Sequence, residues 1–451
     1  MRFRSALIAL SSLLLMAVAA AAEQRPHYGG TLRIAVRETP QAIDPASMNG
    51  GESENIARLI FENLVRLDAN GHPQPLLASS LQAEPGNQRW RISLRDGVSF
   101  TDGFPLDAAS VAASLRSSNP AWKVVAVSET VMIETPSPDL KVPAELAFPR
   151  NAIVHRNNDK LAGTGPFVAR DWVAGKRLVL AANDDYWHGR PFVDSVEVSF
   201  GISDREQLLA LDLGKADTVE IPAESIRRAK AEGRTVLSSE PAQLMALTFA
   251  HDPRNEDELH ARNALAATLD TTSLAEYVMQ GGGDAEAGLL PTWLSGYGFV
   301  FPVPRLNQQA SPVRLQSART AWTLAYDAAD PVARVVADRI LLNARDAGIA
   351  IQLVSSGAAD IRLTRFSLAS LDPQTALTEL AKALQLDPPK FSEYSVEEMY
   401  ATEKLLLQPH RVIPLLHLRR AIAARSNLRG LSISPGGEWE LGNIWIAVEK
   451  P

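Results

Sequence analysis

This 451-residue chain has two arginines three positions apart, Arg362 and Arg365, whose chemistry can be stated directly from the sequence. They lie in residues 360–366, a run that predicts a β-strand, so their side chains point to opposite faces and at most one can face a given site. A guanidinium in a binding site would suit a carboxylate or a phosphate, because its fork of N–H donors matches two oxygens. The alternative role is a salt bridge at the surface.

Catalytic signatures are missing from the sequence. The chain has no Gly-x-Ser-x-Gly motif, no His-Glu-x-x-His motif and no pair of carboxylates with an evident role. The lack of cysteine excludes disulfides, thiolate metal sites and a cysteine nucleophile, and the eight histidines are dispersed. We therefore predict that the chain is not an enzyme and has no metal site and no cofactor. A secreted enzyme is the alternative, which detectable turnover by the pure protein would restore.

Four aromatic residues in the second half of the chain could stack on a ligand: Trp293, Tyr297, Trp322 and Tyr326. Packing in a hydrophobic core is the alternative role for such side chains. Among the four, Tyr326 is the candidate ligand contact.

The N-terminus has the organisation of a secretory signal peptide. Arg2 and Arg4 are basic, residues 6–19 are apolar, and three alanines at 20–22 precede Glu23. A membrane anchor is the alternative, but the apolar run is short and polar residues follow it at once. The two arginines are not adjacent, which argues against a twin-arginine signal. We predict a signal peptide over residues 1–22 and export of the unfolded chain.

The remaining chain has the composition of an exported soluble protein. No later run reaches about 18 uninterrupted apolar residues, the length that a membrane-spanning helix needs. Without cysteine there is no site for a lipid anchor. The formal charge is −7, and loss of Arg2 and Arg4 makes it about −9 with no basic cluster, so nucleic acid is not an expected partner. These features predict a free periplasmic protein of a two-membrane bacterium.

Hydrophobic periodicity predicts alternating strands and helices. The strand, helix and strand predicted at residues 322–354 form a βαβ unit and indicate a parallel sheet. Asp107 is the predicted N-cap of its helix. Strands are predicted at residues 31–36, 90–94, 124–127, 130–133, 242–250, 322–326, 349–354, 360–366 and 412–417, and helices at residues 53–67, 107–115, 203–213 and 332–347.

Residues 163–200 predict a hairpin-like meander. Gly163 and Gly165 can adopt positive φ, and Pro166 fixes the chain where a strand begins. The string GTGPF, followed at fixed spacing by a tryptophan, a glycine, a leucine and NDDYWHGRP, closely resembles a signature of the family 5 extracellular solute-binding proteins. These are the peptide- and nickel-type binding proteins of ABC importers.

A second string supports the same resemblance. Residues 94–111, LRDGVSFTDGFPLDAASV, resemble a family string at about a dozen positions, and depart from it at Ser110, where an aspartate is usual. Residues 29–45 and 412–417 also resemble family strings in the same order along the chain.

The resemblance implies a two-lobed α/β fold of the periplasmic-binding-protein type, with mixed sheets flanked by helices and an extra subdomain in the first lobe. It implies that residues 23–247 and 418–451 form the first lobe and residues 248–417 the second. The implied protein is a monomer that closes its lobes around a small solute, by family default an oligopeptide. Its implied partner is an ABC permease in the inner membrane.

The resemblance also implies where the ligand binds. Peptide binders of the family hold the amino terminus of the ligand with an aspartate, in a string to which residues 365–373 correspond. Here the anchor position is Ala369, so in this register the anchor is missing; a shift of two residues would change that. The loop after the first strand usually borders the cleft, the alternative being a solvated loop. The candidate ligand-binding residues are Glu38, Thr39, Tyr326, Arg365, Phe366, Ser370 and Asp372.

Two departures keep other functions open. Besides Ala369, the segment 374–411 is short for the family. A member that has lost transport and acts as a docking or sensory protein is one alternative. A receptor for a non-peptide solute is another, the candidates being small anionic or neutral solutes, modified peptides or sugars, with metal complexes behind them.

Overall fold

The structure is a computed structural model that describes residues 25–47, 51–157, 160–303, 321–346, 348–355 and 357–447. The predicted signal peptide, residues 1–22, lies outside the described residues, as does most of the loop predicted at residues 299–318. The two-lobed α/β fold with mixed sheets and an additional subdomain is confirmed.

The described part of the chain alternates strands and helices. The predicted strands are confirmed to within a few residues, but those predicted at residues 242–250 and 412–417 are much longer in the structure. The strands are β1 Thr31–Ala35, β2 Val65–Leu67, β3 Pro73–Pro75, β4 Ala78–Ala83, β5 Arg89–Leu94, β6 Lys123–Val127, β7 Thr130–Glu134, β8 His155–Asn157, β9 Lys160–Ala162, β10 Phe167–Val173, β11 Arg177–Ala182, β12 Ser195–Ser199, β13 Thr218–Ile221, β14 Thr235–Phe249, β15 Gly283–Asp284, β16 Ala321–Ala325, β17 Ala350–Val354, β18 Ile361–Ser367, β19 Val412–Ala424, β20 Leu428–Arg429, β21 Ser432–Ile433, β22 Trp439–Glu440 and β23 Trp445–Ile446. The α-helices are α1 Glu52–Ala57, α2 Ala108–Ser118, α3 Val142–Glu145, α4 Asp204–Asp212, α5 Ile226–Ala231, α6 Glu256–Thr268, α7 Thr271–Ser273, α8 Thr292–Ser295, α9 Pro331–Asp346, α10 Pro373–Ala383 and α11 Val396–Leu407.

A mixed sheet runs through both lobes. Within the described residues it contains eleven strands in the order β10-β11-β12-β1-β13-β19-β14-β18-β16-β17, with β15 beside β19. Its two longest strands, β14 and β19, have 15 and 13 residues and pair antiparallel. One end of this pair adjoins β13 in the first lobe, and the other adjoins β18 in the second. The lobes are therefore joined through a continuous hydrogen-bonded sheet, which lies beneath the cleft.

The first lobe carries a smaller subdomain built on the sheet β4-β5-β7-β6 and on α2. Side chains alternate along these strands, so that Ile92, Val131 and Ile133 are fully buried in one core with Leu115 of α2. The N-cap prediction for α2 is confirmed: Asp107 accepts a hydrogen bond from Ser110 N, and Ser110 Oγ closes the capping box.

The second lobe contains the predicted βαβ unit. Strands β16 and β17 pair in parallel. The buried face of α9, including Val336 and Ile340, packs in one core with Leu324 of β16. Gly348 follows the helix with φ of +78°, and Ile349 N donates to Ala344 O, which completes a glycine C-cap.

The helix predicted at residues 53–67 is wrong beyond its first turns. The helix α1 ends at Ala57, because the carbonyls of Leu59 and Ile60 accept hydrogen bonds from Phe167 N and Gly165 N of the neighbouring meander. The apolar residues of the pattern are still buried, so tertiary packing satisfies the same hydrophobic residues without a helix.

The reason for a glycine at position 163 differs from the prediction. It does not adopt positive φ; instead, a Cβ atom at this position would lie 1.9 Å from Ile60 O. Glycine is required there by the close approach of two backbones.

Candidate ligand-binding cleft

A first cavity of about 650 Å³ lies between the lobes, over the paired strands β14 and β19. From the first lobe, residues 37–38 after β1 and residues 220–223 at the end of β13 line it. From the second lobe, residues 325–330 before α9 and residues 362–365 of β18 complete the walls. Because its walls come from both lobes, its shape depends on how far the lobes close.

A second cavity of about 630 Å³ continues from the first. Residues 365–371 and α10 form its second-lobe wall, and residues 144–150 of the subdomain face them. Gly51, Arg365 and Arg420 line both cavities, so these residues mark the passage between them. Together the cavities form one elongated cleft of the size that small-molecule sites occupy.

Arg365 is held at this passage by the second lobe. Its strand β18 pairs with β14, which places Arg365 opposite Met245. Arg365 Nη2 lies 2.7 Å from Asp330 Oδ2, while the buried Nε has no hydrogen-bond partner. Asp330 also accepts hydrogen bonds from Val332 N and Ala333 N at the start of α9. The start of α9 therefore holds the carboxylate of Asp330 in place, and this carboxylate holds Arg365.

A buried carboxylate stands behind the first cavity. Burial raises the pKa of Glu224 above its usual value, and the nearby Asp330 and Asp204 raise it further, against the opposing effect of Arg365. The cavity in front of it is lined by five arginines and five carboxylates. The arginines are Arg37, Arg362, Arg365, Arg419 and Arg420, and the acids are Glu38, Asp204, Glu220, Asp327 and Asp330.

The second cavity has a different charge pattern. Glu379 of α10 lies 3.2 Å from Arg150 and 2.6 Å from Lys382. Burial acts to raise the pKa of Glu379, but the hydrogen bond and charge of Lys382 and the charge of Arg150 outweigh it and hold the pKa below its usual value. Arg58 forms an ion pair with Glu438 on another wall.

The lobes touch beside the second cavity. Arg150 belongs to the subdomain and Glu379 to the second lobe, so their ion pair crosses the cleft. The turn containing Gly71 approaches Leu371 so closely that a Cβ atom on Gly71 would lie 2.2 Å from Leu371 O. The structure therefore shows the lobes in contact beside a cleft that is partly open to solvent.

Five of the seven predicted site residues line the cleft. Glu38, Tyr326 and Arg365 line the first cavity, and Arg365, Phe366 and Ser370 line the second. Ser53 donates to Glu38 through both N–H and Oγ–H at 2.7 Å, so this carboxylate already has partners. Whether any of them binds a ligand remains a prediction.

The other two predicted site residues do not belong to either cavity lining. Asp372 is the N-cap of α10, where it accepts hydrogen bonds from Thr375 N and Tyr394 Oη, each at 2.9 Å. Thr39 packs against Gly201, at the turn after β12. Ala369, the position predicted to lack an anchor, is exposed and does line the second cavity.

Both Arg362 and Arg365 reach the first cavity, although at most one was expected to. The reason is that the cavity touches the consecutive residues 362–365 of β18 and not one face of the strand alone. Arg362 is exposed and donates to Gly357 O at 2.8 Å, whereas Arg365 lies deeper with Asp330.

The three remaining aromatic candidates are packing residues. Trp322 is buried against Phe249, with ring centroids 5.2 Å apart. Tyr297 donates to the buried Glu403, and Trp293 Nε1 donates to Pro241 O at 2.8 Å.

Sequence reasoning missed several cleft residues, which are Arg37, Arg58, Arg66, Arg150, Asp330 and Arg420. Arg37 could have been found, because it follows directly after a strand end that faces the cleft. Arg66 and Arg150 lie in the subdomain, and no local pattern shows that this subdomain folds back over the second lobe.

Two further observations limit the chemistry of the described residues. They hold no group of three or more histidine, cysteine, aspartate or glutamate side chains that could bind a metal ion. None of the helices among them is both long enough and apolar enough to cross a membrane.

Comparison with known proteins identifies relatives that bind several kinds of solute. The family described as bacterial extracellular solute-binding proteins, family 5 Middle, matches residues 72–359. The probable D,D-dipeptide-binding periplasmic protein DdpA of Escherichia coli is 24% identical over 361 residues, which cover 72% of this chain and 70% of that protein.

Two solved structures share the fold. The NikA protein of Staphylococcus aureus, in complex with Ni(L-His)2, gives a TM-score of 0.75 at 18% identity and covers 92% of this chain and 99% of its own. AgaA of A. tumefaciens R10, in complex with agropinic acid, gives a TM-score of 0.75 at 19% identity and covers 93% of this chain and 99% of its own. A D,D-dipeptide, Ni(L-His)2 and agropinic acid thus appear in the descriptions of proteins similar to this one.

Proposed function

The chain belongs to the bacterial extracellular solute-binding proteins of family 5, and we propose that it is the periplasmic receptor of an ABC importer. In this role it captures a small solute between its lobes and delivers it to a permease in the inner membrane. Residues 23–247 and 418–451 would move as the first lobe and residues 248–417 as the second. The predicted signal peptide and the absence of cysteine support export without a lipid anchor.

The interlobe cleft is the observation that carries this proposal. Two connected cavities of about 650 and 630 Å³ lie over the strands that join the lobes, and both lobes supply polar side chains to them. A receptor of this kind binds reversibly by closing its lobes, and no chemical step is required of the lining residues.

The solute is proposed as an oligopeptide by family default, with a non-peptide solute as the alternative. One feature favours the alternative. Ala369 presents a methyl group to the second cavity at the position where the family string has its aspartate, and a buried ammonium needs a charge partner to offset its desolvation.

Native mass spectrometry of protein expressed in the periplasm, followed by thermal-shift titration with di- to pentapeptides, tests the proposal. A ligand at about 100-fold excess over its Kd adds about 2.7 kcal/mol to the free energy of unfolding, which raises the melting temperature visibly. A retained solute, or a shift with any peptide, supports a receptor.

Two other results would redirect the assignment. A shift with non-peptide solutes alone would support the alternative receptor. A protein that retains nothing and responds to no solute would contradict a transport role and favour a docking or sensory protein. Turnover of any titrated compound would contradict a pure binding function.

A further inference from the structure

We infer that the solute carries an anionic group, a carboxylate or a phosphate, and that the second cavity binds this group with Arg66 and Arg58. The inference rests on the proposed function, because it names the chemistry of the ligand for the same cleft. It assigns the neutral or mixed-charge part of the solute to the first cavity.

The charge of the second cavity is opposite to that of the chain. The whole protein has a formal charge of −7, yet basic side chains outnumber acidic ones in this cavity, by six to three in all and by four to three when the shared Arg365 and Arg420 are left to the first cavity. The basic residues are Arg58, Arg66, Arg150, Arg365, Lys382 and Arg420, and the acidic residues are Glu54, Glu379 and Glu438. A concave surface of one sign concentrates its field and favours a ligand of the opposite sign.

The acidic residues of this wall are already engaged. Glu379 is shared by Arg150 and Lys382, so one carboxylate faces two cations. Glu438 is paired with Arg58. Because Glu379 faces two cations, this part of the wall keeps an excess of positive charge, which agrees with the lowered pKa of Glu379.

Guanidinium donors remain for a ligand. Among the described residues, Arg66 has neither an ion-pair partner nor a hydrogen-bond acceptor for its side chain, and it projects from the exposed hairpin of β2 and β3. Arg58 Nε is buried and has no acceptor. Arg66 can therefore donate charge-assisted hydrogen bonds to oxygens of the solute, while Arg58 adds positive charge to the same cavity.

The first cavity lacks this excess, since its five arginines face five carboxylates. Arg37 lies between Asp204 and Asp327, at 3.8 and 4.0 Å, and Arg365 is paired with Asp330. The two cavities together thus offer one positive end and one balanced end to an elongated solute.

Matched pairs of probes test the inference by isothermal titration of the full mature chain. Each pair differs in one acidic group: the dipeptide Ala-Phe and its C-terminal amide, gluconate and glucose, and glucose 6-phosphate and glucose. We expect binding of acids and at least tenfold weaker binding of their neutral counterparts, a ratio typical of a charge-assisted hydrogen bond. The pairs distinguish a peptide carboxylate, a sugar acid and a phosphate as the source of the anion.

The variant Arg66→Gln removes the charge and keeps most of the side chain. It is expected to weaken binding of the preferred acid by roughly tenfold and to leave binding of a neutral probe unchanged. Arg205→Gln is the matched control, because Arg205 is also an exposed arginine but lies on α4, outside both cavity linings. Equal melting temperatures of the free proteins would show that both variants fold.

The outcomes separate the inference from the proposed function. Neutral probes that bind as tightly as their acids overturn the inference and leave the receptor standing. Acids that bind equally well to wild type and Arg66→Gln overturn the assignment of the anionic group to Arg66. A protein that binds no probe of either kind counts against the receptor and the inference together.

Discussion

The first and second cavities share Arg365 but treat charge in opposite ways. In the first, Arg37 and Arg365 have acidic neighbours, and Glu224 behind the wall has a raised pKa because it is buried near Asp330 and Asp204. In the second, Glu379 has a lowered pKa although it too is buried, because Lys382 and Arg150 surround it. Glu224 thus lies near acidic groups beside a balanced cavity, whereas Glu379 lies between two basic groups in the positive one.

This difference teaches how a shared fold can serve different solutes. The strands β14 and β19 fix the floor of the cleft, and their hydrogen bonds do not depend on the ligand. The charges are supplied by the strand ends, by α10 and by the subdomain, which can change without altering the sheet. Relatives named for a dipeptide, a nickel complex and agropinic acid are consistent with that division.

Removal of the shared arginine should have the largest effect. Arg365→Ala removes the ion-pair partner of Asp330, whose side chain is only 13% exposed. It also removes a side chain that lines both cavities. We expect solute binding to weaken by about 2–3 kcal/mol. Titration of the variant against the retained solute measures this, with Arg362→Ala, at the exposed rim, as the control. Equal losses in the two variants would contradict a special role for the passage.

The contact beside the second cavity can be broken without changing charge. Gly71→Ala places a Cβ atom against Leu371 O, and the clash is relieved when the lobes open. We expect about 1–2 kcal/mol weaker solute binding with a smaller change in the stability of the free protein. Gly86→Ala is the matched control, because Gly86 also has positive φ but a Cβ atom there meets nothing within 4 Å. If both variants bind like wild type, the lobes do not need this contact to close.

The two buried carboxylates should respond to pH with opposite signs. Glu224 has a raised pKa, so its contribution to stability is present below pH 4.5 and is lost as the pH rises through its folded pKa. Glu379 has a lowered pKa, so its contribution is present above pH 4.5 and is lost as the pH falls through its folded pKa. When the pH is lowered from 7 to 4, the free energy of unfolding of wild type should therefore rise relative to that of Glu224→Gln. It should fall relative to that of Glu379→Gln.

Urea unfolding of the three proteins at both pH values measures this pair of differences. Glutamine keeps the size of each side chain and cannot ionise, so packing changes should cancel between the two pH values. Differences of the same sign for the two variants would mean that the cavities do not differ in local charge.

The smallest effect is expected at the outer end of the first cavity. Arg37 is 45% exposed and its ion pairs with Asp204 and Asp327 are long, so Arg37→Gln should change solute affinity by less than about 1 kcal/mol. Titration beside Arg66→Gln gives the comparison. If Arg37→Gln weakened solute binding more than Arg66→Gln, the anionic group would lie in the first cavity and not in the second.

The strands could be predicted from the sequence because their patterns are local. The buried run at residues 242–249 predicts the centre of β14, but the partly polar start of that strand, from Thr235, has no such pattern. The helix predicted at residues 53–67 failed because its carbonyls bond to the distant Gly165 and Phe167. The strong local signal at Asp107 gave the correct N-cap.

The site was less predictable than the fold. Arg365 was selected because a guanidinium suits a carboxylate or phosphate, and Tyr326 because its ring could stack on a ligand; both line the first cavity. Asp372 was selected by resemblance, yet its oxygens accept hydrogen bonds from Thr375 and Tyr394. Arg66 could not be found from sequence, since its position depends on the packing of a subdomain against the other lobe.

A crystal structure of the protein with the tightest-binding acid of the matched pairs tests the central claim most directly. We predict a solute enclosed between the lobes that passes Arg365, with its acidic group within about 3 Å of Arg58 or Arg66 in the second cavity. A solute bound outside the cleft would contradict the receptor account. An acidic group placed in the first cavity, beside Asp204 or Asp330, would contradict the division of charge between the two cavities.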